Sequence, residues 1–186
     1  MFDFAAAFDS GLTYDDFLQK YGEPGYRQRW QDVHDRVRLT DEQKKLLHSF
    51  TRELRVLCLA GAWCGDCVNQ CPIFDHFARE TDCIKVRFFD RDDHPQLAEA
   101  VRICGGARVP VVVFLNEDGQ FCGLYGDRTL SKYRQMAHDQ LGPSCPTGLG
   151  VDQPLLDSVV QDWLNEFERM HLMVRLSPRL RQKHGD

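Results

Sequence analysis

Apolar positions recur at helical spacing through the first third of the chain. Tyr14, Phe17, Leu18 and Tyr21 predict an amphipathic helix over 13–21, ended by Gly22 and Pro24. Trp30, Val33 and Val37 line one face of a second short helix. Thr40 has the character of an N-cap, with Gln43 completing a capping box, and Leu46, Leu47, Phe50 and Leu54 form the stripe of a helix reaching about residue 54. The pattern then changes. Residues 56–60 form a continuous apolar run suited to a central strand covered on both faces. A helix over about 67–79 follows, with Pro72 inside it as a source of a kink.

A second strand, Ile84–Asp90, precedes a helix that Pro95 opens and that runs to about Cys104. Strand, helix, strand, helix implies a right-handed parallel crossover. Residues 109–115 are a strong strand with Pro110 at its entrance; Asn116-Glu117-Asp118-Gly119 is turn chemistry, and residues 120–125 return as the other arm of a hairpin. A helix over Leu130–Leu141 closes a β-α-β-α-β-β-α unit, an α/β sandwich with a mixed sheet. Gly142-Pro143-Ser144-Cys145-Pro146-Thr147-Gly148 is a turn-rich linker. From Asp152 to about Leu176 a long helix carries Leu156, Val159, Val160, Trp163, Phe167, Met170 and Val174 on one side. It is expected to pack on the N-terminal helices, or else to offer a dimer surface. Arg175, Arg179, Arg181 and Lys183 follow as a solvated basic end.

The 186 residues suffice for one sizeable core, and the division read from the pattern is an N-terminal helical extension 1–39, a central domain 40–142, and a linker, helix and tail 143–186. A net charge of −5 with the two signs interspersed leaves no cationic surface for nucleic acid. The N-terminus has neither the apolar length nor the charge of a signal peptide, and no stretch is long enough to span a bilayer, so a cytoplasmic, membrane-free protein is expected. Eight cysteines in such a chain read as thiols rather than as a secreted disulfide framework; Cys58, Cys83, Cys104 and Cys122 are expected in or near the core. His34 and His48 read as helix-surface residues.

Candidate chemistry sits at Trp63-Cys64-Gly65-Asp66-Cys67, between the apolar strand and the helix. A cysteine at a helix start meets unpaired N–H groups and the positive end of the dipole, both of which favour a thiolate. Two cysteines at this spacing read as a redox dithiol or, about as well when taken alone, as a buried or zinc-binding pair. Cys71, one turn beyond Cys67, is expected as a small buried residue; an alternative disulfide or a third zinc ligand is the competing use.

The motif, Pro72 five residues after Cys67, Val109-Pro110 and Gly126 after the hairpin together resemble the thioredoxin superfamily over about residues 40–141. Within it, Cys-Gly-Asp-Cys with Arg91-Asp92 after the second strand resembles a bacterial thioredoxin-like branch. The resemblance implies a three-layer sandwich with a mixed central sheet, flanked here by N- and C-terminal helical extensions. It implies a thiol-disulfide oxidoreductase without cofactor or metal, acting on disulfide-containing protein substrates and recharged by an electron-donating reductase. Cys64 is then the attacking thiolate and Cys67 the resolving thiol. Trp63, Val109, Pro110 and Gly126 form the substrate-contacting surface, with the Val109-Pro110 bond cis. The alternatives are a partner-binding module without turnover and a zinc site. Two departures from the family bear on tuning. Asp66 stands where many thioredoxins have proline, and its charge is expected to oppose the Cys64 thiolate. Cys58 stands where a buried carboxylate commonly helps Cys67 lose its proton.

Overall fold

The computed structural model describes residues 2–145, 147 and 154–186. Its centre is a four-stranded sheet of order β2-β1-β3-β4, made of β1 (Leu54–Ala60), β2 (Ile84–Asp90), β3 (Val111–Asn116) and β4 (Phe121–Gly126). β1 pairs parallel with β2 and antiparallel with β3, and β3 pairs antiparallel with β4, so the sheet is mixed as the pattern predicts. β3 is buried along its whole length and β1 nearly so. Strands covered on both faces have no use for polar alternation, which is why both read as unbroken apolar runs.

Helices α1 (Phe4–Phe8), α2 (Tyr14–Tyr21), α3 (Pro24–His34) and α4 (Asp41–His48) precede the sheet. Thr13 caps α2, and Thr40 with Gln43 forms the expected capping box on α4. α4 stops at His48, short of the expected residue 54, because Leu54 is recruited into β1 opposite Ile84. Phe17, Trp30 and Tyr14 cluster with Phe88 of β2, and Leu12 makes an antiparallel bridge to Phe88 at the outer edge of the sheet. The extension is therefore part of the core. His34 departs from the surface placement expected of it: it is largely buried, stacks on His76 with ring centroids 4.2 Å apart, and pairs with Asp75 at 2.8 Å.

α5 (Gly65–Glu80) begins directly at the cysteine motif, continues through Pro72, and packs on α3 and β2. α6 (Pro95–Ala100) is shorter than expected; the chain leaves helix before Cys104, which has φ +50 and is exposed rather than near the core. α7 (Leu130–Leu141) follows the hairpin. The expected linker continues past Ser144, with Pro146 and Gly148 outside the described residues.

α8 (Leu155–Arg175) is the predicted C-terminal helix; its expected start at Asp152 lies outside the described residues. Its partners differ from the expected N-terminal helices. It packs chiefly on α7, β4 and α5. Trp163 meets Phe74 and Tyr125 edge-on, and Phe167 meets Phe77 and Phe114 in the same way. The basic end is solvated as expected, with Arg179, Arg181 and Lys183 exposed, but it is ordered rather than a tail. It forms α9 (Pro178–His184), capped by Ser177 and anchored by buried Leu180, and Lys183 bonds to Asp118 at 2.6 Å. Buried Arg52 pairs with Glu117 and Asp186, drawing the last residue onto the hairpin turn. Among the described residues no helix is long and apolar enough to cross a membrane.

Candidate active site

β1 delivers the chain to a short turn, Gly61 to Trp63, and Cys64 is the N-cap of α5. The turn is held from two sides. The Cys64 N–H donates to the Gly61 carbonyl at 3.0 Å, and the indole Nε1–H of Trp30, on α3, donates to the Ala62 carbonyl at 2.9 Å. A Cβ on Gly61 would lie 2.7 Å from the Trp63 ring, so only glycine lets that indole fold over the turn. Trp63 remains 40% exposed, and the Arg91 guanidinium sits 4.5 Å from its ring centroid.

Cys64 is half-buried and donates its S–H to the Val109 carbonyl at 3.6 Å. Cys67 lies behind it, fully buried, and accepts the Gly61 N–H at 3.4 Å. The two thiols have opposite proton affinities. Cys64 is pushed up, first by the Cys67 sulfur beside it and then by burial. Burial also works against ionising Cys67, yet the neighbouring Cys64 and Cys71 thiols and the hydrogen bond from the Gly61 N–H outweigh it and hold Cys67 down to about 5. The pair thus gives up one proton readily and the second with difficulty, and the resulting thiolate belongs to both sulfurs.

Val109-Pro110 is a cis peptide bond beside this pair. Gly126, at the end of β4, has φ +153, and a Cβ there would lie 2.6 Å from the Pro110 carbonyl oxygen. Of the residues expected to contact substrate, Trp63 precedes Cys64, Val109 meets the Cys64 sulfur, and Gly126 lies against the Pro110 backbone. Asp66 sits on the first turn of α5, but its carboxylate is turned to Arg128, with Nη2 to Oδ2 at 2.6 Å. Cys58 lies in β1 with its sulfur 3.8 Å from that of Cys71.

Several residues of this region have no local signature in the sequence. Asp127, joined to Gly126 by a second cis bond, is buried and receives Arg108 at 3.0 Å, Arg128 at 3.2 Å and the Tyr133 hydroxyl at 2.5 Å. Burial alone would raise its pKa, but the Tyr133 and Arg108 hydrogen bonds and the charge of Arg128 keep it below the usual carboxylate range. Gln70 joins the Asp127 carbonyl at 3.0 Å to α8, where the Trp163 Nε1–H donates to its Oε1 at 2.9 Å. A cavity of about 330 Å³ opens beside Asp66 and Asn69, between Lys132 and Leu155. Among the described residues no three His, Cys, Asp or Glu side chains converge as metal ligands.

Comparison with known proteins adds the following. A family model described as thioredoxin matches residues 11–139. The crystal structure of a protein of unknown function from Pseudomonas aeruginosa superposes with a TM-score of 0.69 at 17% identity, covering 91% of this chain and 97% of that one. An HIV epitope-scaffold superposes with a TM-score of 0.59 at 19% identity, covering 91% of this chain and 93% of that one. At these identities the likeness is one of fold. Among curated proteins none matches the sequence.

Proposed function

The chain belongs to the thioredoxin family, and on that premise we propose that it is a thiol-disulfide oxidoreductase that reduces protein disulfides through Cys64 and Cys67. The observation that carries this reading is the arrangement of the pair: Cys64 half-exposed at the start of α5, and Cys67 buried behind it with the Gly61 N–H donating to its sulfur.

In the reaction the Cys64 thiolate attacks a substrate disulfide, forming a mixed disulfide and releasing one substrate thiol. The proton that Cys64 gives up passes to Cys67, so the negative charge starts at the accessible sulfur, where the first N–H groups of α5 support it. Cys67, losing its proton again as the donors around it allow, attacks Cys64 Sγ. The Cys64–Cys67 bond forms, the second substrate thiol leaves, and two electrons have moved from the protein to the substrate. An electron-donating reductase restores the dithiol. Trp63 offers a flat apolar contact at the opening, and the backbone at Val109 is positioned to pair with an extended substrate segment. Such chemistry suits a reducing compartment such as the cytoplasm, where the other thiols also stay reduced.

The test is single-turnover reduction of a disulfide-bonded protein, paired with capture by Cys67→Ser. Loss of turnover with accumulation of a Cys64-linked mixed disulfide is the expected result. Turnover that survives Cys64→Ser overturns the assignment. Partner capture that survives replacement of both cysteines makes the chain a binding module.

A further inference from the structure

Two thiols behind the active pair form and break no bond in the reaction just described. Cys58 of β1 and Cys71 of α5 are fully buried, and their sulfurs touch at 3.8 Å. Cys71 also stands one turn beyond Cys67 on the same face of α5. Cys58 of β1 faces Cys71, so the four thiols Cys64, Cys67, Cys71 and Cys58 are gathered at this end of the helix. Cys58 and Cys71 stand 13 positions apart in sequence and bracket the whole redox turn.

We propose that Cys58 and Cys71 are a second, internal redox pair, which takes over the disulfide first formed at Cys64 and Cys67. The inference rests on the oxidoreductase reading above, because the surface disulfide is its oxidant. In the first step Cys71 Sγ attacks Cys67 Sγ. The Cys67–Cys71 bond forms, the Cys64–Cys67 bond breaks, and Cys64 leaves and takes up the proton that Cys71 gives up. In the second step Cys58 Sγ attacks Cys71 Sγ; the Cys58–Cys71 bond forms, Cys67 leaves, and it takes the proton of Cys58. Cys58 and Cys71 are oxidised by two electrons and Cys64 and Cys67 are reduced by two. The protein as a whole neither gains nor loses any, and the surface dithiol is ready for a second substrate.

The geometry asks for a modest movement. Bonded sulfurs lie about 2.0 Å apart, so Cys58 and Cys71 close by roughly 1.8 Å from contact. Burial pushes both thiols well above their ordinary range. Protonated and out of solvent, they do not meet external oxidants. A neighbouring disulfide held against them is a different matter, since proximity replaces concentration. Because a protonated thiol attacks slowly, the internal step follows the surface step as a separate, slower phase.

The experiment uses the fully reduced chain and an excess of a disulfide-bonded protein substrate, without reductase. Free thiols are counted after acid quench and denaturation, and the linkages are mapped by mass spectrometry of the digested protein. The expected result is two substrate disulfides reduced per chain in two kinetic phases, with Cys64–Cys67 and Cys58–Cys71 both linked. Cys58→Ala, checked for native circular dichroism, should reduce only one, in the fast phase. Cys64→Ser should leave Cys58 and Cys71 as free thiols. A wild-type chain that stops at one equivalent with only Cys64–Cys67 linked overturns the internal pair and leaves the oxidoreductase reading standing. Reduction of no substrate overturns both. A Cys58–Cys71 link that forms equally in Cys64→Ser overturns the relay.

Discussion

Arg128 holds the carboxylate of Asp66 at 2.6 Å, so the acidic residue inside the redox turn acts on the thiols as half of an ion pair. Arg128 lies just past the β-hairpin and also reaches Asp127, which ties the tuning of the dithiol to the opposite side of the opening. The electrostatic influence of Asp66 falls on Cys67, whose proton affinity it raises.

Removing one member of the pair should therefore shift the dithiol in opposite directions. Across roughly 7–8 Å at effective dielectrics of about 40–80, a unit charge is worth about 0.5–1.2 kcal/mol, or about 0.4–0.9 in pKa. Asp66→Asn should lower the first pKa of the pair by that much and make the protein more oxidising, because the reduced form gains. Arg128→Gln should raise it comparably. The double variant should lie between them. Alkylation rate against pH gives the pKa and equilibration with a small dithiol gives the potential; the same direction for both single variants would contradict the account.

The stability of the reduced protein should depend on pH through Cys67. Its folded pKa is about 5 against 9.0 for a free thiol, so between these values the unfolded chain binds a proton that the folded chain does not. Stability then rises with pH across the window and is lost as pH falls toward about 5. Urea unfolding of the reduced chain between pH 5 and 8 should follow this trend, and Cys67→Ala should flatten it. Oxidation of the pair should flatten it as well, since a disulfide has no proton to release.

Trp163→Phe tests the strut between α8 and the active-site helix. Its indole N–H donates to Gln70 Oε1 at 2.9 Å in the core. Loss of the donor leaves a buried amide oxygen unpaired, at a cost of about 1–3 kcal/mol, and the missing ring volume adds to it. Denaturant titration should show the loss. Gln70→Leu in the same background should not recover it, because the buried Asp127 carbonyl then loses its Gln70 donor.

Gly126→Ala tests the support under Pro110. The added Cβ would stand 2.6 Å from the Pro110 carbonyl oxygen and 3.1 Å from Val111 Cα, on a residue whose φ of +153 already suits glycine. Both contacts are backbone and neither gives way cheaply. Destabilisation of about 1–3 kcal/mol is expected, with weaker capture of substrate by the Cys67→Ser form. A variant of unchanged stability and capture would show that the loop relaxes freely.

The order of the strands and of helices α2 to α8 was legible because each of these elements is announced by neighbouring residues, whereas α1 and α9 were not read. Apolar runs marked β1 and β3, Thr40 with Gln43 marked the start of α4, and Ile84–Asp90 and Leu130–Leu141 matched their elements end to end. The dithiol was legible for the same reason: a strand, a turn and a helix start placed Cys64 at an N-terminus before any long-range contact was known. What surrounds the dithiol was not. Arg128 on Asp66, Trp163 on Gln70 and Cys58 on Cys71 join residues that the sheet order brings together. The apolar stripe of α8 showed that one face is buried without saying against what, and the sheet and α5 took it in place of the N-terminal helices. The basic end likewise carried no local sign that Leu180, Arg52 and Asp118 would hold it as a docked helix. Periodicity and turn chemistry are properties of a few consecutive residues, so the sequence alone determined the elements and the reactive motif. The partners of a side chain across the molecule depend on how the elements pack, and only the tertiary structure decided which charges, donors and sulfurs stand next to Cys67.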